Sequence, residues 1–160
     1  MLICEVFAYL AVLVMQILQK SDRPTVQLLH KMPDGSSHID WMIAQDCGDK
    51  KGELLTFRLG SRLDKVQTGQ SIIAERIKNH RWAYLEYEGP ISGNRGVVSR
   101  VAEGVIVSQK RDKSNLRVEI CWLNESKSMI HQKVLMREIQ TPQGKWTMEA
   151  FCESLELIEK

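Results

Sequence analysis

At 160 residues the chain has the length of one domain and is long enough to bury a real core. Hydrophobic residues make up 43% and charged residues 26%, the balance of an ordinary soluble globular protein, which excludes a largely disordered chain. A net charge of +2 neither demands nor excludes a nucleic-acid partner, so any polyanion site has to come from local clustering.

Residues 1–18, MLICEVFAYLAVLVMQIL, are almost wholly apolar, interrupted by Glu5 and Gln16 and followed by Lys20 and Arg23. The run approaches the minimum length of a membrane span. No basic residue precedes it and it carries no small-x-small cleavage site, which argues against a secretory signal. Three readings stay open for residues 1–20: a membrane anchor, a buried helix, or an extension from a start codon read too far upstream. The remainder, 21–160, reads as one domain without internal repeats or low-complexity tracts. The four cysteines, Cys4, Cys47, Cys121 and Cys152, show no CxxC spacing. Structural thiols in a reduced, cytoplasmic protein fit that scatter better than a disulfide scaffold.

After Pro24 the pattern turns strand-like. TVQLLH (25–30) is a short β-prone run, and the turn KMPDGSS reverses the chain into HIDWMIAQ (38–45). DCGDKKG (46–52) is a second turn, and ELLTFRL (53–59) a third strand. GSRLDKVQTGQ reads as loop or a short helical turn. SIIAERIKNH (71–80) spaces Ile72, Ile73 and Ile77 close to a helical period, with a strand as the alternative. Strands follow at WAYLEYE, GVVSRVAEGVIVSQ, LRVEICWL and HQKVLMREI, divided by RDKSN and NESKS. WTMEAFCESLELIEK closes the chain as strand then loop, or as a short amphipathic helix. Short strands with polar turns every ten or so residues predict a mainly β, single-domain fold, a compact β-barrel with one or two short helices.

His38 and Asp40, two apart on a predicted strand, point to one face. His30 ends the preceding strand, so a hairpin brings all three together. Two imidazoles and a carboxylate suit Mn²⁺, Zn²⁺ or Fe²⁺, and the alternative is a turn histidine beside a hydrogen-bonded His-Asp pair. His131 has no such neighbours in sequence and reads as surface. Arg58, Arg62, Arg76, Arg81, Arg95 and Arg100 lie in or beside predicted turns, where planar guanidinium forks suit phosphate oxygens or simply make a solvated basic face. No Walker loop, dinucleotide fingerprint, nucleophile elbow or zinc finger is present. The densest polar segment is HRWAYLEYEGPISGNRGVVSR (80–100), where a strand is broken by Gly89-Pro90 and a Gly-rich turn bearing Arg95 precedes the next strand at Val97.

The blocks VQLLH, HID, LLTFRL and HRWAYLEYEGPISGNRG, in this order, resemble the 3′-phosphoesterase module at the N-terminus of bacterial DNA ligase D, and its stand-alone small relatives more closely. The resemblance runs from about Thr25 to Ile106 and is most specific over His80, Tyr84, Leu85, Glu86, Tyr87, Glu88 and Gly89. It implies a compact β-barrel with a crescent-shaped groove and a Mn²⁺ site (Zn²⁺ or Co²⁺ as alternatives) formed by His30, His38 and Asp40. His80 and Tyr84 would act beside the phosphate. The implied reaction removes a 3′-terminal phosphate or ribonucleotide from a DNA strand, leaving a 3′-hydroxyl for a repair ligase or polymerase. Separately, the chain is expected to be a monomer. This chain departs from the pattern at Met42, where the family has an arginine, and at Leu28, where it has a glutamine. The turn between His30 and His38 is about two residues longer than the family's usual one. Arg95 or Arg58 is the expected substitute for the missing phosphate contact. Three readings follow: a metal-dependent phosphoesterase, a binding module of the same fold whose catalysis has lapsed, or an unrelated barrel with structural histidines.

Overall fold

The computed structural model describes residues 23–45, 53–123, 128–144 and 146–158. The expectations for residues 1–20, for Cys4 and Cys47, and for most of the DCGDKKG and NESKS turns lie outside those residues. Ten strands account for most of the rest: β1 (Pro24–Lys31), β2 (Ser37–Ala44), β3 (Glu53–Leu59), β4 (Ser71–Arg76), β5 (His80–Arg81), β6 (Gly89–Pro90), β7 (Val97–Arg111), β8 (Asn115–Leu123), β9 (Met129–Gln140) and β10 (Trp146–Ile158). The only helical pieces among the described residues are 3-10 turns at Leu63–Lys65 and Trp82–Leu85. No helix among these residues is long and apolar enough to cross a membrane.

The fold is the expected β-barrel. Strand order runs β1-β2-β3-β4-β10-β9-β8-β7, and β7 pairs back onto β1 to close an eight-stranded ring. β5 and β6 are two-residue stubs that pair with β3 and β7. Closure leaves the ring without a free edge. An eight-stranded barrel is just wide enough for side chains to fill, and here Trp41, Phe57, Leu59, Ile120, Trp122 and Met136 fill it.

One end of the interior is stoppered by the first 3-10 turn, with Leu63 and Asp64 buried. Its polar groups are fully used. The Gln27 amide donates to Asp64 Oδ1 (2.9 Å) and accepts from the Leu63 N–H (2.7 Å). Gln132 donates to the Leu63 carbonyl (2.9 Å) and accepts from the Trp122 indole (2.8 Å).

Strand alternation explains why β1, β2 and β3 are apolar on both faces. Leu29, Ile39, Trp41, Ile43, Leu55, Phe57 and Leu59 face the interior. Val26, Leu28, Met42, Ala44 and Leu54 face outward, yet form a second buried cluster with Leu85 and Val98. Segment 82–98 lies over that outer wall, with Trp82, Tyr84 and Ile91 packed on the cluster.

One expectation is corrected and two open readings are decided. WAYLEYE is not a strand: Trp82 to Leu85 form a 3-10 turn. Trp82 and Leu85, three apart, eclipse in that geometry and bury together on the outer cluster, which a strand would forbid. Residues 71–76 form a strand and no helix, because Ala74 must face the core opposite Leu59 and Met148. The last segment stays a strand to Ile158, carried past a bulge between Cys152 and Ser154 by pairing with β9.

Candidate metal centre

His30, His38 and Asp40 do converge. β1 and β2 pair with His30 opposite His38 and Leu28 opposite Asp40, so the three side chains lie on the outer face of the barrel wall. Their ligand atoms all fall within 4.8 Å of one another. The turn between them is closed by Asp34, whose Oδ1 accepts from the Ser36 N–H (2.9 Å) and hydroxyl (2.6 Å).

Asp40 is 3% exposed. Its Oδ2 lies 3.5 Å from His30 Nδ1 and its Oδ1 3.4 Å from His38 Nε2. Asp40 Oδ1 and His38 Nε2 are buried with no hydrogen-bond partner. Unpaired buried polar atoms are expensive, so such a pair calls for a third party. His30 sharpens the point. Its Nε2 meets the Arg95 carbonyl at 2.6 Å and must donate there, because a carbonyl can only accept. In the neutral ring Nδ1 then presents a lone pair to the carboxylate, and two acceptors face each other. A second proton on the His30 ring or a bound cation resolves that conflict. Donors about 2.0–2.2 Å from a shared ion lie roughly 3–3.5 Å apart, and a metal-bound histidine characteristically gives its other N–H to a carbonyl. The donor set fits a divalent ion.

Electrostatics keep His38 in its neutral, ligating form. Burial has the largest effect and lowers its pKa; the Asp40 carboxylate works the other way, and the charge of Arg58 lowers it further. Arg58 is Asp40's cross-strand partner on β3, so its guanidinium flanks the cluster.

The Arg95 carbonyl is aimed by Gly96. That residue has φ +93°, and a Cβ there would lie 2.0 Å from the Lys31 carbonyl oxygen. Only glycine lets the 91–96 turn close on the end of β1.

His80 and Tyr84 also come together, their ring centroids 5.3 Å apart. The Lys78 carbonyl takes His80 Nδ1 at 3.0 Å, which leaves Nε2 as the available nitrogen. His80 pairs with Leu54, four residues along β3 from Arg58, the partner of Asp40, and Tyr84 rests on the outer apolar cluster, so the pair lies on the same wall toward its other end. Leu28 and Met42, neighbours of His30 and Asp40 on their strands, are 0% and 1% exposed within that cluster. Both positions are packed core. The Arg95 guanidinium folds onto Ser92, to its carbonyl at 2.7 Å and its hydroxyl at 3.3 Å.

Sequence reasoning missed two contributions. The Arg95 backbone contact had only Gly96 as a signal. Arg100 is a strut rather than a phosphate ligand: it donates to the Leu85 carbonyl (2.6 Å) and to Glu103 (2.7 Å), while its N–H binds Glu88 (2.9 Å). His131 is also corrected. Its Nε2 contacts Glu119 Oε1 at 2.5 Å, a cross-strand pairing of β8 with β9 that spacing along the chain could not reveal.

Fold and site define a closed eight-stranded barrel with a three-donor His/Asp cluster on its outer wall. No family model matches the chain, and no curated protein matches its sequence.

Proposed function

We propose that this protein is a divalent-metal-dependent phosphoesterase that removes a 3′-terminal phosphate or ribonucleotide from DNA ends. The observation that carries the reading is the buried Asp40 carboxylate set against two imidazole nitrogens, with Asp40 Oδ1 and His38 Nε2 facing each other at 3.4 Å and neither having another partner. His30, His38 and Asp40 would hold Mn²⁺, with Zn²⁺ or Co²⁺ as alternatives. Such an ion supplies Lewis-acid polarisation of a phosphoryl oxygen.

The chain's own groups do the rest. Arg58, beside Asp40, offers a planar pair of donors to the remaining phosphate oxygens as negative charge builds up. His80, its Nδ1 proton committed to Lys78, would present Nε2 to the substrate and, as imidazolium, give a proton to the leaving 3′ oxygen as a water molecule attacks the phosphorus and the P–O bond breaks. The Tyr84 ring holds that imidazole in place. The product 3′-hydroxyl is the group that a ligase or polymerase joins or extends.

A second reading has its own support. Met42 and Leu28 occupy, as buried core, the positions where the resembling family has polar groups, which favours a binding module of the same fold without turnover. One assay separates the two. Release of 3′-phosphate or a 3′-ribonucleotide from a labelled primer-template is measured with and without Mn²⁺, for wild type and His38→Ala. Mn²⁺-dependent release that disappears in the variant supports the enzyme. Metal binding without release leaves the binding module.

A further inference from the structure

We infer that a depression beside the metal cluster, bounded by Arg81, Tyr84, Tyr87 and Arg95, seats an unpaired nucleobase, so that the preferred substrate is a single-stranded or frayed 3′ end. The inference rests on the phosphoesterase reading and names the form of its substrate. The depression holds about 260 Å³, below the range of sites built for drug-sized ligands and in keeping with one flat ring system.

Two tyrosines and two arginines line it together with Ala83, Pro90, Ile91 and Ser92, and no acidic residue does. Tyr84 and Tyr87 meet edge to face with centroids 6.1 Å apart and planes at 88°. The Arg81 guanidinium carbon stands 5.8 Å from the Tyr84 ring centre. Tyr87 is fixed rather than loose, since its hydroxyl donates to the Pro90 carbonyl, yet it remains 41% exposed. A phosphate alone would need the cations but not two phenol rings. Aromatic faces flanked by arginines are the arrangement that binds single strands, because every base offers a π-face and every nucleotide a negative charge.

Arg95 joins this depression to the cluster. Its side chain lines the depression while its carbonyl receives the His30 Nε2 proton at 2.6 Å.

The test is binding of a fluorescent single-stranded oligonucleotide to the full chain in EDTA, where neither metal nor turnover contributes. Three comparisons are made: wild type against Tyr87→Leu and Tyr87→Phe, an intact 3′ nucleotide against an abasic one, and single strand against blunt duplex. Binding is expected to weaken about tenfold in Tyr87→Leu, the scale of one stacked base, and to change little in Tyr87→Phe. The abasic strand should lose the same factor on the unaltered protein, and the blunt duplex should bind more weakly. Equal affinity for intact and abasic strands, or no binding at all, overturns the base seat. Cleavage is scored separately on the same strands. Cleavage indifferent to the base removes the seat and keeps the phosphoesterase; base-dependent binding without cleavage keeps the seat and removes the phosphoesterase.

Discussion

Asp40 is a carboxylate kept in a buried position by two histidines that do not hydrogen-bond to it well, and the site follows from that one conflict. Much of it was legible in the sequence. His38 and Asp40 share a face because strands alternate, and Pro33-Asp34-Gly35 announces the turn that returns the chain beside His30. The Arg95 carbonyl was not legible, since a backbone contact across 65 positions leaves no side-chain pattern. Gly96→Ala tests that contact. The added Cβ would sit 2.0 Å from the Lys31 carbonyl, so the turn must shift and draw the Arg95 carbonyl away from His30. Mn²⁺ affinity is expected to fall about 10–100-fold, the usual effect of losing a partner that orients a ligand. Titration followed by electron paramagnetic resonance reads it, and unchanged affinity would mean that His30 needs no such support.

At the scale of elements, β3 was legible to the residue, because ELLTFRL is β-rich and bounded by polar turns. Residues 82–85 were misread, since the same residues that alternate as a strand also place Trp82 and Leu85 at a spacing of three. What decides is the outer wall of β1 and β2, a neighbour distant in sequence. Arg100 ties this segment down through Leu85 and Glu88. In Arg100→Met, amide hydrogen exchange over residues 82–90 is expected to speed up while the barrel strands keep their protection. Uniform loss of protection would make Arg100 a support of the whole barrel instead.

At the scale of the molecule, the sequence predicted a barrel but not which strands close it. Pairing of β1 with β7 and of β4 with β10 depends on contacts between remote segments. The stopper depends on them too. In Gln132→Leu the Trp122 N–H and Leu63 carbonyl lose their partner inside the barrel, which should cost about 1–3 kcal/mol. Thermal melting should register a fall of roughly 2–4 °C per kcal/mol in a chain of this size, and an unshifted midpoint would contradict the assignment. Acid stability has a defined origin on the outer surface. Hydrogen bonds from Arg137 and then Ser71 hold the Glu149 carboxyl below its ordinary value, linking β10 to β9 and β4. A lowered folded-state pKa contributes stability above the unfolded value, and that contribution is lost as pH falls through the folded one. Glu149→Gln is therefore expected to lower stability at neutral pH and to narrow the gap to wild type in acid, as read by denaturant unfolding at several pH values. A gap that is independent of pH would place the effect elsewhere.

The account as a whole stands on a divalent ion at the three donors. Its most direct measurement is the metal content of the full chain after equilibration with Mn²⁺ and removal of the excess, for wild type and Asp40→Asn. One ion per wild-type chain and none in the variant is the predicted result. An empty wild type, or an equal load in both proteins, would contradict it.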